Sequence, residues 1–98
     1  MNNSKIILLV EIPVLPQFME EVKTLSVTQL VPTLQEPGCE MLYQTVKTND
    51  PNTLIFFEVF SSQATYDLHM GADYTKVFFS GLDGKLAGKP IVTHLQDF

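Results

Sequence analysis

The sequence contains no arginine and no tryptophan, and its six cationic side chains are all lysines, spread along 98 residues. Without arginine, the chain lacks the guanidinium group that binds phosphates and carboxylates through two parallel hydrogen bonds. The net charge of −5, with no basic stripe, argues against the cationic surface that nucleic acids and anionic membranes require. We therefore expect neither a nucleic acid nor a membrane as a partner.

Long hydrophobic runs and cysteine pairs are also absent. No apolar stretch approaches the roughly 18 residues that a membrane-spanning helix needs. The opening segment MNNSKIILLVEIP lacks the pattern of a secretory signal. Cys39 is the only cysteine, so no internal disulfide can form, which is usual for proteins of the reducing cytoplasm. The length fits one domain over residues 1–98, and we expect a cytoplasmic protein.

The sequence does contain a high proportion of hydrophobic residues, 45%, arranged in runs typical of alternating strands and helices. β-Branched and aromatic runs predict strands, and apolar residues three and four positions apart predict helices. We predict strands at 5–12, 39–48, 53–61 and 89–98, and helices over 15–34 and from residue 62 onwards. This β-α-β-β-α-β order indicates a ferredoxin-like α+β fold, with helices on one face of an antiparallel sheet.

The predicted helices have recognisable start and stop signals. Pro32 lacks a backbone N–H and should break or kink the first helix. Ser62 is a suitable N-cap for the second helix, Gly71 interrupts it, and Asp73 can cap a further segment. The expected buried face of the first helix consists of Leu15, Phe18, Met19, Val22, Leu25, Leu30, Val31 and Leu34. In the last segment, Tyr74, Val77, Phe78 and Leu82 should share one face.

The two middle strands should form a hairpin around the four turn residues 49–52. Because side chains alternate between the two faces of a strand, each strand divides into two sets. In the first strand of the hairpin, one set is Cys39, Met41, Tyr43 and Thr45, and the other is Leu42, Gln44 and Val46. In the second strand, one set is Phe56, Glu58 and Phe60, and the other is Ile55, Phe57 and Val59.

The first and third strands are apolar on both faces, although helices can cover only one face of the sheet. The other face would be a large exposed apolar patch, which monomeric proteins rarely carry. In a chain this short, a second copy is the simplest cover. We therefore expect a homodimer that packs through the helix-free faces, with the last strand helping to join the subunits.

Four segments, EPGC at 36–39, DPN at 50–52, FFEVF at 56–60 and SQATYDLH at 62–69, resemble motifs of the antibiotic biosynthesis monooxygenase family. Similarity in this order extends over nearly the whole chain. The resemblance implies a dimeric α+β barrel. It also implies one of three activities: cofactor-independent oxidation of phenols or quinols, haem degradation, or action on a phosphorylated signal.

Individual residues of this chain argue against two of these three activities. The haem-degrading branch carries a tryptophan at the position of His69 and an axial histidine where this chain has Phe79. The absence of arginine argues against a phosphorylated substrate. Of the activities that the resemblance implies, the one that remains is that of a cofactor-independent monooxygenase, which uses dioxygen and a small aromatic or quinol-like substrate.

His69 is the strongest candidate for a catalytic residue, since the resemblance extends to its position and a neutral imidazole can accept a phenolic proton. The alternative is a helix histidine satisfied by a backbone carbonyl. Aromatic side chains with a few polar groups favour a flat organic ligand, although the same residues can be plain core. The candidates for substrate binding are Tyr43, Glu58, Phe60, Tyr74 and Phe78.

No spacing of ligands predicts a metal site, and no phosphate-binding glycine loop or dinucleotide motif is present. We expect no cofactor, a structural or exposed role for His94, and a role as a small apolar filler for Cys39. Two alternatives to oxygenation stay open. One is an isomerase or lyase acting on a small carbonyl compound, and the other is a ligand-binding dimer without catalysis.

Overall fold

A computed structural model of the protein describes residues 5–98. Residues 1–4, part of the segment considered for a secretory signal, lie outside the described residues. The elements are β1 Ile6–Pro13, α1 Met19–Leu34, β2 Cys39–Lys47, β3 Asp50–Phe60, α2 Gln63–Gly71, α3 Asp73–Gly81 and β4 Ile91–Leu95, with a 3₁₀ turn at Pro16–Phe18. The four strands form one antiparallel sheet in the order β2-β3-β1-β4. The predicted ferredoxin-like α+β fold is confirmed.

The strand β1 lies inside the sheet, between β3 and β4, as its continuous apolar run indicates. Its Leu8 pairs with Glu58 on β3 and with His94 on β4, and Glu58 in turn pairs with Leu42 on β2. These four residues therefore lie in one row across the sheet on the face that the helices cover. The hydrophobic core between the sheet and the helices consists of Ile12, Val14, Met19, Val22, Leu42, Leu54, Phe56, Phe78 and Leu82.

The helix α1 differs from its prediction in two respects. It continues through Pro32 to Leu34, so the proline neither ends the helix nor prevents a final turn. Val31 and Leu34 are exposed rather than buried. The buried side of α1 is instead a mixed stripe of Met19, Val22, Ser26, Gln29 and Thr33. Two of its hydroxyls are satisfied inside the helix, because Ser26 and Thr33 each donate to the carbonyl four residues earlier.

The second predicted helix consists of two segments, α2 and α3. Ser62 is the N-cap of α2, as predicted, and it forms a capping box with Thr65. Asp73 does not cap α3, because it is the first residue of that helix and Ala72 occupies the cap position without a side-chain hydrogen bond. On α3, Phe78 and Leu82 are buried, whereas Val77 is exposed and Thr75 takes its place on the buried side.

Two irregularities of the β2–β3 hairpin were not predicted. A register shift between Cys39 and Met41 places Cys39 opposite Phe60, on the helix-covered face, so it does not share a face with Met41 as predicted. A β-bulge has this effect because one extra residue reverses the alternation of side chains. The hairpin loop is also shorter than predicted: β3 begins at Asp50, so the loop is only residues 48–49.

No element formed by residues 5–98 covers the helix-free face of the sheet. The register assigns to it the residues Ile7, Leu9, Glu11, Met41, Tyr43, Thr45, Ile55, Phe57, Val59, Ile91, Thr93 and Leu95. Among these, Met41, Tyr43, Ile91 and Leu95 are strongly exposed. The structure thus contains the apolar patch that the sequence predicts. Within residues 5–98, no helix has the length and apolar character needed to cross a membrane.

Candidate functional site

A cavity of about 260 Å³ lies between the sheet and the two short helices. Its walls are mostly apolar, and the polar side chains that reach it are those of Gln29, Glu58, Tyr66 and His69. The remaining lining residues are Leu8, Val10, Ile12, Phe56, Met70, Phe78, Phe79, Pro90 and Val92. An apolar space with a few convergent polar groups is typical of a small-molecule site.

His69 lies near the end of α2 and is only 3% exposed. Its ring packs on Phe60, with the ring centroids 4.8 Å apart. The Nδ1 atom of His69 lies 2.9 Å from Oε2 of Glu36. The helix histidine is therefore satisfied by a carboxylate rather than by a backbone carbonyl, and its ring borders the cavity.

The turn between α1 and β2 brings Glu36 to His69. Thr65 and His69 are four residues apart on α2 and so lie on the same side of that helix. Gly38, in the same turn as Glu36, packs against Thr65, and its carbonyl accepts a hydrogen bond from the N–H of Ser61 at 2.8 Å. The turn therefore lies along one side of α2. Gly38 is near the first turn of that helix, and Glu36 is near its last turn.

Gly38 has no room for a side chain. A Cβ at this position would lie 2.2 Å from Cβ of Thr65, whereas a Cβ at Gly71 would meet nothing within 4 Å. We expect Gly38→Ala to lower the free energy of unfolding by roughly 1–3 kcal/mol, the usual cost of overpacking. The helical control Gly71→Ala should leave it unchanged or raise it by up to about 1 kcal/mol. Urea unfolding of both variants measures these changes, and equal stability of Gly38→Ala and wild type would contradict the predicted close packing.

Glu36 also accepts a hydrogen bond from the hydroxyl of Tyr74, on the same oxygen that contacts His69. Burial, the hydrogen bond to Glu36 and the charge of that carboxylate together raise the pKa of Tyr74 to about 12. The phenol therefore keeps its proton at neutral pH and stays a donor. His69 from α2 and Tyr74 from α3 thus contact the same carboxylate, that of Glu36 in the turn between α1 and β2.

Glu58 is a second acid close to this cluster, in the middle of the sheet and on the cavity wall. Burial raises its pKa from the ordinary 4.5 to about 7, and the charge of Glu36 contributes in the same direction. A large fraction of Glu58 is therefore protonated at neutral pH, and in that form its carboxyl group can donate a hydrogen bond to a ligand.

This raised pKa predicts a pH-dependent stability. A carboxyl that binds its proton more tightly in the folded state stabilises the fold below about pH 4.5 and loses that contribution as the pH rises through about 7. Glu58→Gln cannot titrate, so its free energy of unfolding relative to wild type should rise by on the order of 3 kcal/mol between these limits.

Urea unfolding of wild type and Glu58→Gln at pH values from about 4.5 to 8 measures this difference. Glu40→Gln, at an exposed carboxylate paired with Lys5, is the matched control and should show no trend of comparable size. A difference between Glu58→Gln and wild type that stays constant with pH would contradict the raised pKa.

The cavity also includes a polar group that the sequence patterns did not single out. Gln29, on the buried side of α1, is 5% exposed, and its Oε1 has no hydrogen-bond partner among the described residues. It lies on the cavity wall, where a ligand donor could satisfy it. The available signal was its spacing, because Val22, Ser26, Gln29 and Thr33 recur at intervals of four and three residues.

The structure brings together some of the predicted site residues and separates others. His69, Glu58 and Phe78 line the cavity, and Phe60 lies beneath the imidazole ring. Tyr74 does not border the cavity and reaches it only indirectly, through Glu36 and His69. Tyr43 lies on the helix-free face, opposite Phe57, and is 66% exposed.

Tyr43 therefore does not line this cavity, because the alternation of β2 directs its side chain away from the helices. His94, on β4, is exposed and does not line the cavity. Burial raises the pKa of the half-buried Cys39 thiol to about 11, with nearby carboxylates adding to the rise, so the thiol stays protonated at neutral pH. Within residues 5–98, no three acidic, histidine or cysteine side chains converge to hold a metal ion.

Comparison with known proteins identifies the family. The sequence matches the family model of the antibiotic biosynthesis monooxygenases over residues 5–80. The chain belongs to the antibiotic biosynthesis monooxygenase family. This match confirms the resemblance of the four motifs. No curated protein is significantly similar to this family member in sequence.

Solved structures show the same fold. A protein from Nitrosomonas europaea, whose name gives the same monooxygenase family as a provisional assignment, superposes with a TM-score of 0.92. It is 12% identical, with 99% of this chain and 93% of the other covered. Proteins from Mycobacterium tuberculosis and Pseudomonas aeruginosa are 20% and 17% identical, with TM-scores of 0.91 and 0.90. The superpositions include 97% and 98% of this monooxygenase-family chain, respectively, and 96% of each of the two solved chains. At such identities, the similarity shows the fold alone.

Proposed function

We propose that this chain is a cofactor-independent monooxygenase that acts on a phenol or quinol-like aromatic compound. The observation that carries the proposal is a buried histidine on the wall of an apolar cavity, with Nδ1 of His69 paired to Glu36. No residue in the described part of the chain hydrogen-bonds to its other ring nitrogen, Nε2, so that nitrogen is available to accept a substrate proton.

The chemistry follows from removing that proton. A deprotonated phenol is electron-rich and can itself pass electrons to dioxygen, so the protein need only supply a base and exclude water. The balance closes without an external reductant when a ring CH2 of the keto tautomer becomes C=O. One oxygen atom then enters the substrate, and the other leaves as water with the two hydrogens.

The shape of the site supports a compact, flat substrate. The volume of about 260 Å³ lies just below the roughly 300–1,000 Å³ common for ligand pockets. Aromatic side chains of Phe56, Phe78 and Phe79 form part of its wall and can pack against ring faces. Glu58 and Gln29 offer polar contacts to oxygen atoms of such a ligand.

A second candidate is an isomerase or lyase acting on a small carbonyl compound. The observation that favours it is the presence of two titratable groups on one wall, His69 and Glu58. A base and a protonated carboxyl in the same cavity can remove a proton from carbon and stabilise the resulting enol. This reaction consumes no oxygen, which separates it from the first candidate.

The test is a screen of phenols, quinols and carbonyl compounds, with oxygen consumption and absorbance recorded together. We expect oxygen uptake with a phenol or quinol, and isotope-labelled dioxygen should place one labelled atom in the product. Turnover without oxygen uptake would favour the isomerase or lyase, and tight binding without any turnover would favour a ligand-binding protein. Elemental analysis and a visible spectrum of the same preparation check the expectation that no metal, flavin or haem is required.

We also propose that the protein is a homodimer joined through its helix-free faces. Support comes from the apolar residues of that face, including Tyr43 at 66% exposure and Ile91 at 56%. The edge strand β4 is exposed along its whole length, as expected for a strand that contacts a second subunit. Sedimentation at micromolar concentration checks this, and a single species of about 11 kDa, the mass of one chain, would contradict it.

A further inference from the structure

Glu36 lies outside the cavity, yet it contacts the one side chain to which we assign the chemistry. It does not line the cavity, and it lies on the side of His69 towards the turn that follows α1. Its Oε2 is 2.9 Å from Nδ1 of His69 and also accepts the hydroxyl proton of Tyr74. A group in this position does not touch a substrate, and the cavity side chain that it contacts directly is His69.

The hydrogen bonds determine where the imidazole proton must lie. A carboxylate oxygen can only accept, and the Tyr74 phenol, with its high pKa, remains a donor at neutral pH. The atom of His69 that faces this oxygen must therefore carry a hydrogen. A neutral imidazole has only one N–H, so a proton on Nδ1 leaves Nε2 bare.

We propose that Glu36 is a positioning residue, which holds His69 in the tautomer with the proton on Nδ1 and thereby presents a bare Nε2 to the cavity. This inference rests on the proposed role of His69 as the base. Tyr74 completes the arrangement by occupying the remaining side of the same oxygen, which keeps the carboxylate directed at the imidazole.

The surroundings of Glu36 hold its carboxylate in place against His69. Its carboxylate is 16% exposed, so the contact with His69 is largely shielded from water. Its N–H donates to the carbonyl of Thr33 at 3.0 Å, and its own carbonyl accepts from the N–H of Cys39 at 3.1 Å. The close contact of Gly38 with Thr65 then holds the turn against α2. A charge-assisted hydrogen bond in such a site is stronger and more directional than one at the surface.

The tautomer can be observed directly, without a substrate. The chain has only two histidines, so ¹⁵N spectra of the imidazole nitrogens contain two sets of signals, and His94→Gln assigns them. At about pH 8, we expect His69 to show a protonated Nδ1 and a bare Nε2. In Glu36→Gln, we expect this pattern to be lost or averaged with the opposite tautomer, whereas Glu40→Gln should keep it.

A bare Nδ1 in wild type, a ring protonated on both nitrogens at this pH, or an unchanged tautomer in a folded Glu36→Gln would each overturn the proposal. If Glu36→Gln does not fold, the wild-type spectrum alone still decides it. Because these spectra need no substrate, the positioning role can fail while oxygenation is found, and it can hold where no oxygenation is found.

Kinetics give a second, independent measurement once a substrate is known. We expect Glu36→Gln to lower kcat by about 10–100-fold with little change in KM, as for other groups that orient a reacting histidine. In a His69→Gln background, the same change should cost much less than in wild type, because the main contact of Glu36 with the cavity machinery is the hydrogen bond to His69. An equal loss in both backgrounds would show that Glu36 merely supports the fold.

Discussion

His69→Gln should lower kcat/KM by about 10²–10⁴-fold on any substrate that the wild-type protein oxidises, because loss of a general base typically has this effect. Glutamine keeps much of the size of the buried ring and can still pair with Glu36, but it cannot accept a proton at neutral pH. Steady-state oxygen uptake measures the loss, and circular dichroism checks that the variant is folded.

His94→Gln is the matched control, because it changes the other histidine of the chain, which is exposed and does not line the cavity. We expect it to keep near-normal kcat/KM, since surface substitutions away from special features have small effects. If folded His69→Gln also keeps near-normal kcat/KM, the cavity histidine is not the base and the proposed mechanism fails.

Phe57→Glu should convert the proposed dimer into monomers. Phe57 pairs with Leu9 on one side and Tyr43 on the other, near the middle of the helix-free face. A carboxylate buried there in a dimer would have no cation to pair with it on that row, and an unpaired buried charge costs several kcal/mol. Because each 1.4 kcal/mol is tenfold in affinity, we expect the dissociation constant to rise by at least about 100-fold.

Sedimentation over a range of concentrations around micromolar measures this shift, with wild type at twice the mass of one chain and Phe57→Glu at the mass of one. Val77→Glu is the control, since Val77 is 60% exposed on α3, away from the helix-free face, and its variant should remain dimeric. A dimeric Phe57→Glu would place the subunit interface on a different surface.

The site depends on two contacts between distant segments of the chain. Glu36 and His69 are 33 residues apart, and Glu36 and Tyr74 are 38 residues apart. Both contacts require the turn after α1 to lie against α2, which in turn requires glycine at position 38. The EPGC motif therefore has a physical reason beyond its turn chemistry, since its glutamate orients the histidine and its glycine permits the close approach.

The sequence was enough to predict the order of strands and helices, because the periodicity of apolar residues and the turn residues are local properties of the chain. It also determined the N-cap at Ser62, which needs only the residues that follow it. The four motifs were sufficient for the family, and His69 could be singled out within one of them.

Which side chains share the cavity could be seen only in the folded chain. The alternation of β2 could be counted along the strand, but the face that the helices cover, and the bulge that separates Cys39 from Met41, could not. The mixed stripe of α1, with Gln29 on its buried side, depends on what the helix packs against rather than on its apolar residues. The partnership of Glu36 with His69 was missed because it joins a turn and a helix that are 33 residues apart in sequence, and such pairs form only when the chain is folded.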